Sequence, residues 1–313
     1  MFLELWLSIY IIMPESKIKH FLQLHLIVFI WGFTAILGAL ISIEAIPLVW
    51  YRMLLAVIFI FLYFLIKKKS FAIDKKSLLK FLFTGIVIAL HWITFFKAIK
   101  VSNVSIALVT MSTGAFFASF IEPLFFRRRI KSIEIILGIV VIGGLYIIFN
   151  FETQYYLGII YALISAFLAA LFSVLNGMFV KKTDADVISF YQLSFGVLFI
   201  TVFLFFTNSF TANFFKLTAS DWFYLILLSS LCTAYAFIVS VKIMKHLTPY
   251  TVMLTLNLEP VYAIILALFI FGDKEKMNVE FYYGAFIVLF VVLLNGIIKN
   301  RSKIKEKIKK NKN

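Results

Sequence analysis

The sequence predicts an all-α integral membrane protein of ten transmembrane helices, arranged as two five-helix inverted repeats. Three observations lead there. The chain has 313 residues, of which 63% are hydrophobic and only 14% charged, with a mean hydropathy of +1.02. A soluble domain of that balance could not cover its surface with polar groups. Apolar runs long enough to cross the hydrocarbon core as helices recur along the whole length. They are too uniformly apolar for barrel strands, which alternate. Finally, stretches of the first half reappear, in order, in the second.

The chain opens on MFLELWLSIYII, an apolar stretch that is short and lacks the basic start and small-residue cleavage site of a signal peptide. Met13 follows it, so either Met1 or Met13 could be the start, and residues 1–20 read as an N-terminal cytoplasmic segment. The spans then fall at about 21–42, 47–66, 78–99, 102–126, 132–150, 155–180, 186–207, 220–245, 248–272 and 280–299. The first repeat covers 21–150, the second 155–299, and a basic cytoplasmic tail 300–313.

Lysines and arginines orient the bundle. With the N-terminus inside, the inner segments hold Lys17, Lys19, KKKSFAIDKK with Lys80, RRRIK, Lys181, Lys182, Lys245 and the tail, whereas the outer loops hold only Lys100, Lys216, Lys274 and Lys276. Both termini are expected in the cytoplasm and the protein in the inner or plasma membrane. The net charge of +15 is read as loops facing anionic lipid rather than as a nucleic-acid surface, because no basic stripe interleaved with aromatics lies outside the apolar runs. The one cysteine, Cys232, permits no intramolecular disulfide and no metal cluster, and no Gly-rich phosphate loop, HExxH or GxSxG occurs. No cofactor, no metal site and no enzymatic activity are expected.

The internal repeat is carried by WYRMLLAVIFIFLYFL (50–65) against FYQLSFGVLFITVFLF (190–205), an offset of 140, and by VSNVSIALV (101–109) against LTPYTVMLT (247–255), an offset of 146, which also pairs Gly138 with Gly284. Five spans per copy is odd, so the second copy enters the membrane upside down. Inverted repeats with a midplane site at their interface are a transporter signature.

The chain resembles the EamA-type transporters of the drug/metabolite transporter superfamily. The resemblance rests on IWGFTAI (30–36), YRMLLA (51–56), LTPYTVMLTLNLEPVYAIILALFIFGDKE (247–275) and Gly284. Gly272-Asp273 stands where Gly-Glu is usual. In the first half Gly114 falls where the offset of 146 places a proline and Arg127 where it places the acid, and the proline is instead Pro123 in IEPLFFRRR. The resemblance implies ten helices around a central cavity, alternating access, transport of small metabolites, often export, and no prosthetic group.

Ionisable groups inside spans are costly and need a partner or an aqueous cavity. Glu259, near mid-membrane in LTLNLEPVY, reads as a cavity carboxylate for a proton or a cationic group, or else as a buried ion pair. Asn257 and Thr255 add polar atoms, with Thr255 one helical turn away on the same face. Pro260 removes the hydrogen bond to the Leu256 carbonyl, which opens the backbone beside the acid or simply kinks the helix. Arg52 could bind a carboxylate or phosphate with its planar fork, snorkel, or pair with Glu44. Its repeat counterpart Gln192 would add a second polar group at the matched position. His91 reads as a titratable cavity group or a hydrogen-bonded core histidine. Trp31, Tyr51, Tyr191 and Tyr235 are aromatic cavity candidates. Glu122 reads as an interfacial ion pair with the following arginines or as a gate contact, Lys97 as an outer snorkel, and Lys242 as a snorkel or a partner of Glu122 or Glu259. Gly32, Ala35 and Gly38 read as close helix packing. The expected function is a secondary carrier of export type for small polar metabolites such as amino acids, with protons and membrane lipids as further partners. The alternative is a flippase for lipids or lipid-linked sugars built on the same plan.

Overall fold

A computed structural model describes residues 15–127, 132–291 and 294 of the chain. The start at residues 1–14, most of RRRIK and the basic tail lie outside the described residues. Among those described there are helices and turns and no strand. In chain order the α-helices are α1 (Glu15–Leu40), α2 (Ala45–Lys67), α3 (Lys75–Val101), α4 (Val104–Met111), α5 (Gly114–Phe126), α6 (Ser132–Phe151), α7 (Tyr156–Phe179), α8 (Ala185–Phe206), α9 (Ala219–Ser229), α10 (Ala236–Ile243), α11 (Pro249–Leu256), α12 (Glu259–Phe271) and α13 (Val279–Val291). Eight continuous or nearly continuous helical stretches are long and apolar enough to cross a membrane, and Ile136–Phe151 and Val279–Val291 are shorter apolar helices. Large apolar side chains such as Phe269, Phe206 and Leu124 stand on the outside, as a lipid-facing surface requires.

Polar residues set the helix starts. Asp74 accepts from the Ser77 amide at 2.9 Å, Asn103 from Ile106 at 2.9 Å and Thr248 from Thr251 at 3.2 Å. Thr218 and Asp221 form a reciprocal capping box at the start of α9. Each satisfies amides that have no partner within the first turn.

Three spans are not single helices, which differs from the uninterrupted runs that hydropathy suggests. Spans four and nine each break into a short helix of 8 residues and a longer one of 13. Both breaks sit at one offset, 145: α4 and α11 start at Val104 and Pro249, α5 and α12 at Gly114 and Glu259, and their C-caps are Arg127 and Gly272, both at positive φ. Lys68 and Asn208, which follow α2 and α8 at an offset of 140, also share positive φ (49° and 50°). The duplication is thus written in backbone geometry, one residue away from the offset of 146 read from side chains. The third interruption is a π-helical turn at Ser230–Tyr235 between α9 and α10.

Small residues allow the closest crossings. A Cβ on Gly85 of α3 would stand 2.4 Å from the Gln192 carbonyl oxygen of α8. Gly38 accommodates the Phe96 ring, and Gly32 brings α1 against Tyr262 and Ala263 of α12.

Candidate functional site

A cavity of ≈ 100 Å³ lies between the halves, bordered by α1, α2, α3, α7, α10 and the two broken helices. Arg52, His91, Glu259, Trp31 and Asn257 all line it, so five sequence candidates from four different spans converge there.

Arg52 is 1% exposed. It neither snorkels nor reaches Glu44, which pairs with Lys97 at 3.4 Å. Its Nε donates to Thr233 Oγ1 at 2.7 Å, and its guanidinium carbon lies 4.0 Å from the Trp92 ring centre and 5.4 Å from that of Phe96. Stacking on aromatic faces supports a cation that has left water. The π turn makes this seat. Thr233 Oγ1 donates to the carbonyl of Leu228, five residues back, at 2.6 Å, and accepts from Arg52. The neighbouring carbonyl of Cys232 accepts from Trp31 Nε1 at 3.0 Å. Arg52 Nη1 has no hydrogen-bond partner, and neither does the buried hydroxyl of Ser173 on α7, which lines the same cavity.

Glu259 is the first residue of α12, half-buried and open to the cavity. Among the described residues no hydrogen bond engages it; Lys242 is exposed rather than its partner, and the opposite charge it feels is that of Arg52. The start of a helix favours a negative charge. Pro260 sits in the first turn of α12, where a missing amide costs nothing. The helix is already broken upstream of it, at Asn257–Leu258, so Pro260 starts a helix rather than kinking one.

Asn257 lines the cavity while its Nδ2 donates to the Leu254 carbonyl at 3.1 Å, which also accepts from the Asn257 amide at 3.2 Å. In the first half Thr113 Oγ1 does the same to Thr110 at 2.8 Å. The break also separates Thr255 from Glu259: Thr255 donates to the Thr251 carbonyl at 2.9 Å and does not line the cavity.

His91 Nδ1 lies 2.9 Å from the Ser165 carbonyl oxygen of α7. The Ser165 hydroxyl oxygen lies 2.8 Å from the same nitrogen. Ser165 Oγ donates back to the His91 carbonyl at 2.9 Å. His91 therefore ties α3 to α7 and lines the cavity at the same time.

The other candidates lie elsewhere. Gln192 is fully buried and donates to Asn176 Oδ1 at 2.7 Å, away from the cavity lining. Tyr51 reaches the Phe214 carbonyl at 3.3 Å, Tyr191 anchors the loop before α3 through the Phe71 carbonyl at 2.7 Å, and Tyr235 is exposed. Glu122 accepts from the Tyr250 amide at the start of α11 at 3.0 Å.

Sequence reasoning passed over Trp92, Thr233 and Ser173, and the buried carboxylates of Glu275, Asp221 and Glu152. Glu275 accepts from the Val104 and Ser105 amides at 3.0 and 2.9 Å and from the Ser105 hydroxyl at 2.8 Å, at the start of α4. Asp221 accepts from the amide and hydroxyl of Ser42 at 2.7 and 2.8 Å. Glu152 accepts from the Asn278 amide before α13 at 3.1 Å. Their position next to basic or turn residues disguised them as loop charges, and only Asp221, three residues after Thr218, carried a readable capping pattern.

The family described as EamA-like transporter family matches residues 19–150 and again 156–297. No curated protein matches the chain. A solved structure described only as "Crystal structure of protein" superposes with a TM-score of 0.66 at 12% identity, covering 90% of this chain and 98% of its own. That likeness concerns the fold alone.

Proposed function

The chain belongs to the EamA-like transporter family, and on that premise we propose that it is a secondary carrier that exports small polar metabolites of the amino-acid type by alternating access. The family is one of multi-pass membrane transporters rather than enzymes. One observation carries the finer reading. A single small cavity holds a fixed guanidinium with an unused Nη1 and a carboxylate that no hydrogen bond engages, the two opposite charges attracting each other across it. That arrangement suits a zwitterion: Arg52 and the Ser173 hydroxyl take its carboxylate, and Glu259 takes its ammonium. Trp31 and Trp92 line the space between α1 and α3 and exclude water, which strengthens both contacts. A volume of ≈ 100 Å³ fits a small solute better than the headgroup of a lipid-linked sugar.

We assign the coupling proton to Glu259 as well. The carboxylate is protonated when the site is empty and releases its proton when the substrate ammonium arrives, so substrate and proton exchange across the membrane. The two carboxylate caps lie at opposite ends of the bundle, Glu122 on α11 and Glu275 on α4, and are the contacts that opening to each side would release in turn.

The test is counterflow of labelled amino acids in proteoliposomes, run at several pH values. Uptake should depend on a pH gradient in the native protein, and Glu259→Gln should remove both the transport and its pH dependence. Transport by Glu259→Gln equal to that of the native protein at every pH would overturn the assignment. Metabolite profiles of cells with and without the gene would identify the solute and its direction.

A further inference from the structure

We propose that the groove between the start of α3 and the end of α7 binds the headgroup of an anionic phospholipid. This reading does not depend on what the central cavity transports. The groove measures ≈ 610 Å³ and is lined by Ser77, Lys80 and Thr84 on one side and Met178, Lys182 and Thr183 on the other. Its floor is the Phe81 ring against Phe179, with centres 5.3 Å apart.

Charge singles this groove out. The loops at this end of the bundle are rich in lysine, but carboxylates meet several of them: Lys69 pairs with Asp186, and Lys245 with Asp184 at 3.2 Å. Asp74, the acid nearest the start of α3, spends its carboxylate on the Ser77 amide and hydroxyl. Lys80 and Lys182 are exposed, flank the groove from its two sides, and have no carboxylate partner among the described residues. Two unneutralised ammonium groups facing one groove, with the Thr183 hydroxyl between helix end and loop, suit a phosphodiester.

The walls distinguish a lipid from a free anion. Leu79 and Phe83 are 70% and 56% exposed and lie one turn apart on α3, so they form one outward apolar face. Leu175 and Met178 line the α7 side. Both helices belong to spans long and apolar enough to cross the membrane, which puts the lysines at its boundary and the apolar track along the acyl chains. Basic pockets between spans at that depth hold anionic headgroups.

Native mass spectrometry of the full-length protein, with phosphatidylglycerol or phosphatidylcholine of identical chains, tests this directly. Phosphatidylglycerol should remain bound where phosphatidylcholine is lost. Lys80→Gln and Lys182→Gln should each weaken retention about 5-fold, and the pair should bring it to the phosphatidylcholine level, whereas Lys80→Arg with Lys182→Arg should retain it. Lys67→Gln with Lys68→Gln, at the same membrane level outside the groove, should leave it unchanged. Equal retention of the two lipids, or undiminished retention by the double glutamine variant, would overturn the proposal. So would an equal loss in the Lys67/Lys68 control, or displacement of the lipid by millimolar inorganic phosphate.

Discussion

The two broken helices are the same object used twice and to different ends. Each has 8 residues, a two-residue break and 13 residues, at a constant offset of 145. In the first half the break reads Ser112-Thr113-Gly114, and the residue that opens the second segment has no side chain. A Cβ on Gly114 would stand 2.6 Å from the Met253 methyl carbon of α11. In the second half the equivalent residue is Glu259, which faces the cavity. The backbone plan repeats with one device, a polar side chain folded back on a carbonyl of the preceding turn that the backbone already uses. The side chain at the opening residue is free to differ, and there one half packs while the other carries charge.

The comparison can be broken by exchanging these features. The largest effect should come from Glu259→Gln, a change expected to lower transport by about 10- to 100-fold, the loss of a charged contact, with the fold intact by size-exclusion chromatography. Arg52→Gln should do comparable harm, and Arg52→Lys should not rescue it, because a lysine lacks the planar fork that stacks on Trp92. If the first-half break were equally functional, Thr113→Val would match these losses, but it should cost stability of about 1 kcal/mol and leave substrate affinity unchanged.

Next come the caps. Glu275→Gln removes a buried charge that accepts three hydrogen bonds and should destabilise by about 1.5–3 kcal/mol. Glu122→Gln, at a half-buried site, should cost less. Thermal unfolding in detergent would rank the two, and the reverse order would remove the distinction between a tight Glu275 cap and a looser Glu122 one. The matched C-caps should differ from each other, and the smallest effect of all belongs to Arg127. Gly272 (φ 58°, ψ −128°) lies where side chains are strongly disfavoured, so Gly272→Ala should cost about 1–3 kcal/mol. Arg127 (φ 52°, ψ 43°) occupies the ordinary left-handed well, and Arg127→Gly should gain a few tenths, roughly 0.5 kcal/mol. Equal shifts in the same unfolding assay would mean the two ends are interchangeable.

Hydropathy made the spans legible because crossing a membrane leaves so few choices. It could not reveal the breaks at Ser112–Thr113 and Asn257–Leu258, since hydroxyls and amides satisfy those carbonyls without any loss of apolar length. Pro260 suggested either an opened backbone or a kink; the helix is interrupted just before it, and Pro260 begins the next segment instead of bending one. Arg52 and Glu259 were readable as charges needing a cavity. Their neighbours were not, because Trp92, Thr233 and Ser173 meet Arg52 or its cavity only through tertiary packing, and a π turn has no sequence period. The expectation for Gln192 missed because matched positions need not have matched surroundings: Asn176 on α7 occupies its amide.

The carboxylate caps have one more consequence. Glu275 of the second half completes α4 in the first, Glu122 of the first completes α11 in the second, and Glu152, at the end of the first half, meets the chain entering α13. Neither copy contains the acid that its own helix end requires. What began as two equivalent modules has become a pair of complementary fragments. A polypeptide severed at the turn between α6 and α7 should yield pieces that reassemble when made together and that fail, each for want of the other's carboxylate, when made alone.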